Sequence, residues 1–392
     1  MHGSGQGKRG QEMTTSEQVL LNLIKQSLFH IPTNIPEDVD WNEVCLEAKE
    51  QAVIGLVYKC IPKETGLLSQ NQYIQIIGRF TTILYAQSEL IKLLSNHGIP
   101  SAILKGSAAA IYYPEPYNRT MGDVDIIVPQ ECYDAAADLM AQNGYKLIIH
   151  GDEPSLRHLI YQKNGIIFEL HHHFSYERIE AENYIIEGLR HTENAMIMNI
   201  SFPMLPPLAN GLVLLIHMWQ HLQLGLGLRQ IVDWMLYAEK VLNDDFWNKE
   251  FEKEAKDLGI DKLAITATRM CQIYLGLSDK ITWCQCANEE LCDGLIDILL
   301  SSGDFGRKKE DERLVENIFT LIRRRGFFHY LQHAGEKNWK AYKQHSWLKP
   351  FCWIYQISRY IFWGIRLKRG KDLREGIKKS KGRADILRQL IS

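Results

Sequence analysis

The sequence has no stretch of about 18 apolar residues free of charge, the least a membrane-crossing helix needs. That excludes an integral membrane segment of the helical kind. It also lacks an excess of one charge: 45 Lys and Arg stand against 47 Asp and Glu, a formal net of −2. Overall charge therefore gives no argument for a nucleic-acid partner. Cysteines are few, eight in 392 residues, and scattered without the regular spacing of a disulfide framework. With no signal peptide visible, reduced thiols and a cytoplasmic location are expected. Cys284, Cys286 and Cys292 lack a fourth ligand at zinc-site spacing, which disfavours a structural zinc there.

What is present is helical at both ends. Residues 1–14 are polar and Gly-rich and read as a disordered tail or a leftover of cloning. Residues 15–100 read as a helical lead-in. Apolar positions recur at helical spacing over Ser16–Phe29, Trp41–Cys60 and Asn71–His97. The last of these runs stops at Gly98, with Pro100 beyond. Residues 201–345 return to helix, beginning after Pro206-Pro207 with the apolar run Leu208–Leu224. That run carries His217 and His221 one turn apart, without the Glu of the zinc-protease motif. Next, Arg229 and Asp233 are also one turn apart on a helix, where pairing with each other is the simplest expectation. Asp304-Phe305-Gly306 reads as a turn.

Residues 346–392 form an aromatic and basic segment. From Arg359 to the end, 11 Lys and Arg face 3 acids. The plain expectation is a docked helix with a solvated basic tail. Peripheral contact with an anionic membrane surface or another polyanion is the alternative.

The informative stretch lies between the helical regions, in residues 101–200. Ala102–Leu104 is a short apolar run leading to Lys105-Gly106-Ser107 and a small-residue helix. A Pro-containing loop carries Arg119, and the stretch closes on Gly122-Asp123-Val124-Asp125-Ile126-Ile127-Val128. Side chains alternate along a strand, so Asp123 and Asp125 share one face while Val124, Ile126 and Val128 point into a core. Two adjacent carboxylates repel unless a cation lies between them. Oxygen-only pairs of this kind suit Mg²⁺, whose remaining ligands are substrate phosphates. Further on, Asn164-Gly165 between apolar runs is a hairpin signal. In the following strand Glu169 and His171 share a face. A carboxylate inside so apolar a strand needs a partner. Adjacent residues of His171-His172-His173 point to opposite faces, so the triplet cannot act as one metal cluster.

The combination Lys-Gly-Ser, Arg119, Gly-Asp-x-Asp and the later Glu169-Leu170-His171 resembles the bacterial uncharacterised nucleotidyltransferase family. That family lies within the superfamily of DNA polymerase β. The separation of Ser107 from Asp123 is longer than the tightest superfamily pattern, and Glu stands where many relatives carry Asp. The resemblance implies an α+β fold: a small mixed sheet with helices on one face, between helical flanks.

It implies that residues 101–200 are the catalytic core and 201–345 the far wall of a cleft. Transfer of an NMP group from an NTP, most simply ATP, to an acceptor hydroxyl would release pyrophosphate. Asp123, Asp125 and Glu169 would hold two Mg²⁺ ions, with Mn²⁺ as a substitute. Gly106, Ser107, Lys105 and Arg119 would bind the phosphates, and His171, His217, Arg229 and Asp233 would line the cleft. The acceptor is expected to be a small molecule, sugar or peptide. Transfer onto protein or RNA, and a non-catalytic binding descendant, are the alternatives.

Overall fold

The computed structural model describes residues 13–148, 158–174, 179–304 and 345–366, and parts of 331–341 and 383–390. Its centre is a seven-stranded mixed sheet: β1 (Ala102–Leu104), β2 (Asp123–Ile127), β3 (Lys146–Ile148), β4 (His158–Lys163), β5 (Ile166–His171), β6 (Glu193–Ile197) and β7 (Ile200–Met204). The spatial order is β3-β4-β5-β2-β1-β7-β6. β2 runs antiparallel to β1 and parallel to β5, while β7 runs parallel to β1.

Helices precede, interrupt and follow the sheet. Before it come α1 (Thr15–Phe29), α2 (Trp41–Glu50), α3 (Ile54–Val57) and α4 (Gln70–Asn96). Within it lie α5 (Gly106–Ala110), α6 (Tyr133–Gln142) and α7 (Ile179–Arg190). After it come α8 (Pro207–Leu224), α9 (Leu228–Lys240), α10 (Asp244–Phe246), α11 (Glu252–Asp257), α12 (Asp261–Leu275) and α13 (Glu289–Ser302). Local chemistry sets several ends. Thr14 with Glu17, and Ser69 with Gln72, form reciprocal capping boxes at the starts of α1 and α4.

The two faces of the sheet bury different sets of side chains. Ile103, Val124, Ile126, Val128, Phe168 and Leu170 pack against Phe80, Ile83, Leu84, Leu90 and Leu94 of α4 and Ala136 and Met140 of α6. On the other face, Ala102, Leu104 and Ile127 join a larger cluster with the first and last helices. This cluster takes in Leu20 and Ile24 of α1, Trp234 and Tyr237 of α9, and Leu295 and Leu299 of α13. Helices therefore cover parts of both faces. On the second face, the β2–β5–β4 portion carries the acids.

Two segments depart from their periodicity. The run Trp41–Cys60 is not one helix. It breaks at Ala52, which adopts a left-handed φ of 55°, after the Gln51 side chain turns to meet Leu299 O and Leu228 N–H. Buried hydrogen bonds there outweigh the helical pattern. The return to helix expected from residue 201 starts later, because β6 and β7 form a hairpin that runs to Met204. Met198 and Asn199, at φ 49° and 62°, make its two-residue turn, and β7 docks on β1 at Ile103↔Met204. None of the eight cysteines is in a disulfide. Among the described residues no helix is long and apolar enough to cross a membrane. Most of the basic tail, including 367–382, lies outside the described residues.

Candidate active site

The site is built on strand register. In the parallel pair β2–β5, Asp125 stands opposite Glu169, Asp123 opposite Ile167 and Ile127 opposite His171. Alternation then puts Asp123, Asp125, Glu169 and His171 on one face of two adjacent strands. On the far side of β5, β4 places His158 opposite His171 and Ile160 opposite Glu169. Asp123, Asp125, His158, Glu169 and His171 line a cleft of about 220 Å³. Gly106 and Gly122 border the same cleft, and His217 and His221 of α8 and Arg229 of α9 face it from the helical side.

Lys105 closes the acid cluster. Its ammonium lies 2.7 Å from Asp125 Oδ1. The residue holds a positive φ of 50°, rare for a side chain with a Cβ, immediately before Gly106 at φ 37°. His171 Nε2 lies 3.0 Å from the same Asp125 oxygen and 3.4 Å from Glu169 Oε2. His158 Nε2 lies 3.7 Å from that Glu169 oxygen.

The electrostatics follow from this packing. Burial pushes the Asp123 carboxyl up to about 6, and the neighbouring Asp125 charge adds to the effect. Burial acts on Asp125 in the same direction, but Lys105 and His171 outweigh it and hold this carboxyl below its ordinary range. Burial alone would lower Lys105 and His171. Their acidic neighbours outweigh burial, and both are raised. On the opposite wall the balance reverses. Burial holds His217 well below 6.5 and takes His221 down to about 3, so both imidazoles are neutral at pH 7.

Four residues are placed differently from their expected roles or pairings. The Ser107 hydroxyl is fully buried and donates to Gln87 Oε1 at 2.7 Å, turned into the protein rather than into the cleft. Arg119 borders the cleft, but its guanidinium is spent on Asp233 in a two-pronged pair, Nε to Oδ1 at 2.8 Å and Nη2 to Oδ2 at 2.7 Å. Tyr113 also donates to Asp233 Oδ1. Arg229 and Asp233 do not pair with each other, because each has a better-placed buried partner. Arg229 Nη2 meets Asp304 Oδ1 at 3.2 Å, so Asp304 anchors a cleft-lining arginine.

His158 is a site residue that the sequence reading passed over. The hairpin at Asn164-Gly165 contained the signal. Once Lys163 pairs with Ile166 across a two-residue turn, stepping back along both strands brings His158 opposite His171. Carboxylates and imidazoles gathered around one cleft could hold a divalent metal. His158, Glu169 and His171 present ligand atoms within 4.8 Å of one another.

Residues 37–276 match the family model for uncharacterised nucleotidyltransferases. The chain belongs to that family. The matched span contains the whole sheet and every cleft-lining residue named above. General nucleotidyl transfer is the chemistry to which the family name points. Curated proteins give no match. Among solved structures, an antigenic nucleotidyltransferase-like protein from Paracoccidioides brasiliensis is similar at 14% identity and a TM-score of 0.34. The match covers 51% of this chain and 96% of that one.

Proposed function

We propose that this protein is a metal-dependent nucleotidyltransferase moving an NMP group from an NTP, most simply ATP, to a hydroxyl on a small molecule, sugar or peptide. The observation that carries this reading is the register Asp125↔Glu169 with Asp123 two residues earlier on the same face, all three lining a cleft that includes Gly106. Three carboxylates facing one space fit hard divalent cations, and the Lys105 ammonium beside Asp125 supports the reading that this space is built for positive charge. Asp123, Asp125 and Glu169 would hold two Mg²⁺ ions, for which Mn²⁺ could substitute. Such ions supply charge stabilisation for in-line displacement at phosphorus.

The chain's own groups divide the remaining work. The acceptor oxygen forms a bond to the α-phosphorus as the bond from that phosphorus to the β-phosphate bridging oxygen breaks, and pyrophosphate departs. Glu169 takes the acceptor proton on a carboxylate oxygen. Gly106, without a Cβ, lets phosphate oxygens approach the backbone closely. Lys105 leaves Asp125 to meet the negative charge of the leaving pyrophosphate. Arg229, held by Asp304, offers a second cation at the cleft wall. Arg119 contributes field at the cleft edge while Asp233 fixes its direction. The Ser107 hydroxyl is not assigned to phosphate, because Gln87 receives it. The neutral imidazoles of His217 and His221 face the acceptor side, where they add no charge to repel a neutral hydroxyl. A cytoplasmic setting, where NTP and Mg²⁺ are abundant, accords with this chemistry.

The test is incubation with each α-labelled NTP and fractionated acceptors, comparing wild type with Asp123→Asn and Asp125→Asn. Label carried to an acceptor by wild type alone supports the proposal. Absence of transfer from every NTP, with NTP binding indifferent to Mg²⁺, overturns it in favour of a binding protein.

A further inference from the structure

Beside the carboxylates, the cleft wall carries a second set of donors. His158 and His171 face each other across β4 and β5, with Glu169 on the same face. Both Nε2 atoms turn toward one oxygen, Glu169 Oε2, at 3.7 and 3.4 Å. Two ligand atoms each about 2.1 Å from one ion stand roughly 3.0–3.4 Å apart at ordinary bond angles. The two histidine–carboxylate separations are at or just above that range, and with all three ligand atoms within 4.8 Å of one another, the side chains can draw together around an ion. Hydrogen bonding accounts for the cluster less well. The single hydrogen available to His171 Nε2 is shared between Asp125 and Glu169. All three side chains border the cleft, so an ion has a way in.

The donor types set the preference. Two imidazole nitrogens and a carboxylate form a borderline set that suits zinc-like first-row ions. Mg²⁺ keeps oxygen ligands and several waters. The Asp123/Asp125 pair, oxygen-only, has the opposite taste. We propose that His158, Glu169 and His171 form a binding site for a nitrogen-preferring first-row transition ion that takes the place of the second Mg²⁺ at Glu169, making the cleft chemically asymmetric: a hard-ion position at the two aspartates and a softer one at Glu169. The proposal refines the same cleft as the nucleotidyl-transfer reading, and its mechanistic consequence rests on that reading. Occupancy of the site by the ion does not.

The test uses the full chain stripped with EDTA, free of nucleotide, and titrated with Co²⁺, whose visible absorption reports nitrogen ligation. The expected result is one bound Co²⁺ per chain, not displaced by excess Mg²⁺. His158→Ala and His171→Ala should each weaken binding by about tenfold or more, the usual cost of disturbing a metal's immediate surroundings. Asp123→Asn should leave Co²⁺ binding within a few-fold of wild type. Circular dichroism confirms that each variant is folded. His158→Gln, which conserves most of the volume, should fail to restore binding. Co²⁺ binding equal to wild type in folded His158→Ala overturns the proposal, as does displacement by equimolar Mg²⁺. Failure of the transferase reading looks different: no labelled acceptor from any NTP, with Co²⁺ still bound.

Discussion

Arg119 and Asp233 lie 114 residues apart in the chain and meet as a two-pronged ion pair whose side chains are 2% and 3% exposed. The pair ties the loop before β2, and so the strand bearing Asp123 and Asp125, to α9 on the opposite side of the cleft. Burial works against the charged guanidinium, but Asp233 outweighs it and raises Arg119 above its ordinary value.

Breaking that pair leaves a buried charge alone. Asp233→Asn and Arg119→Ala should each destabilise the protein by about 3–5 kcal/mol, the usual penalty for removing one partner of a buried pair. Arg119→Lys should also destabilise, because an ammonium cannot reproduce the planar fork. Urea denaturation measures all three. Equal stability of Arg119→Lys and wild type would contradict the tie between loop and helix.

Lys105 and an entering cation compete for Asp125. With its ammonium 2.7 Å from Oδ1, the lysine already neutralises part of the acid cluster. Lys105→Ala should therefore tighten divalent-ion binding in the absence of nucleotide by several-fold, while weakening NTP binding. Calorimetric titration of ion and nucleotide separately checks both halves. Weaker ion binding in the variant would show that Lys105 organises the acids rather than substituting for a cation.

The acids at the site carry a stability cost. In metal-free protein Asp123 is half-buried beside Asp125, and its carboxyl is pushed up to about 6 from 3.8. A carboxyl raised on folding binds protons more tightly in the native state, so its ionised form at neutral pH destabilises the fold. Asp123→Asn should accordingly stabilise EDTA-treated protein by about 1–2 kcal/mol, a partial value of the shift since some of the charge is solvated. The same substitution should abolish transfer. Destabilisation at pH 7 would mean that Asp123 is better compensated than the geometry indicates.

The helical wall of the cleft predicts the acid limb of stability. His221 falls from 6.5 unfolded to about 3 folded, and burial lowers His217 as well. Between these values the unfolded chain binds more protons than the native one, so stability rises with pH across that window. It is fully present above about pH 6.5 and lost as pH falls toward 3. A double change, His217→Gln with His221→Gln, should flatten the slope of unfolding free energy between pH 6 and pH 4. An unchanged slope would place the acid sensitivity elsewhere.

Local pattern revealed the elements that repeat a simple rule. Asp123 and Asp125 alternate with Val124, Ile126 and Val128, and the strand sorts them as a two-residue period requires. The long helix ending before Gly98 follows its own apolar stripe. Partners distant in sequence were not legible. Nothing near Arg119 marks Asp233, and nothing near Arg229 marks Asp304, so the nearer pairing of Arg229 with Asp233 was the natural expectation. Ser107 illustrates the same limit, because its hydroxyl is claimed by Gln87 from a helix that precedes the sheet. The hairpin β6–β7 was hidden differently. Its strands alternate weakly, with exposed Met196, and only the turn at Met198-Asn199 and docking on β1 make them strands. His158 was within reach of the sequence, once the register imposed by Asn164-Gly165 is followed back to the end of the strand.

The central claim is that Asp123, Asp125 and Glu169 together drive displacement of pyrophosphate from a bound nucleotide. Its most direct test counts the product released from an NTP in the presence of Mg²⁺ and an acceptor fraction. The account predicts pyrophosphate, one per acceptor labelled at the α-phosphate, and a fall of about a hundredfold or more in Asp125→Asn, in line with losing a group that stabilises transition-state charge. Release of orthophosphate alone, or equal pyrophosphate from wild type and Asp125→Asn, would contradict it.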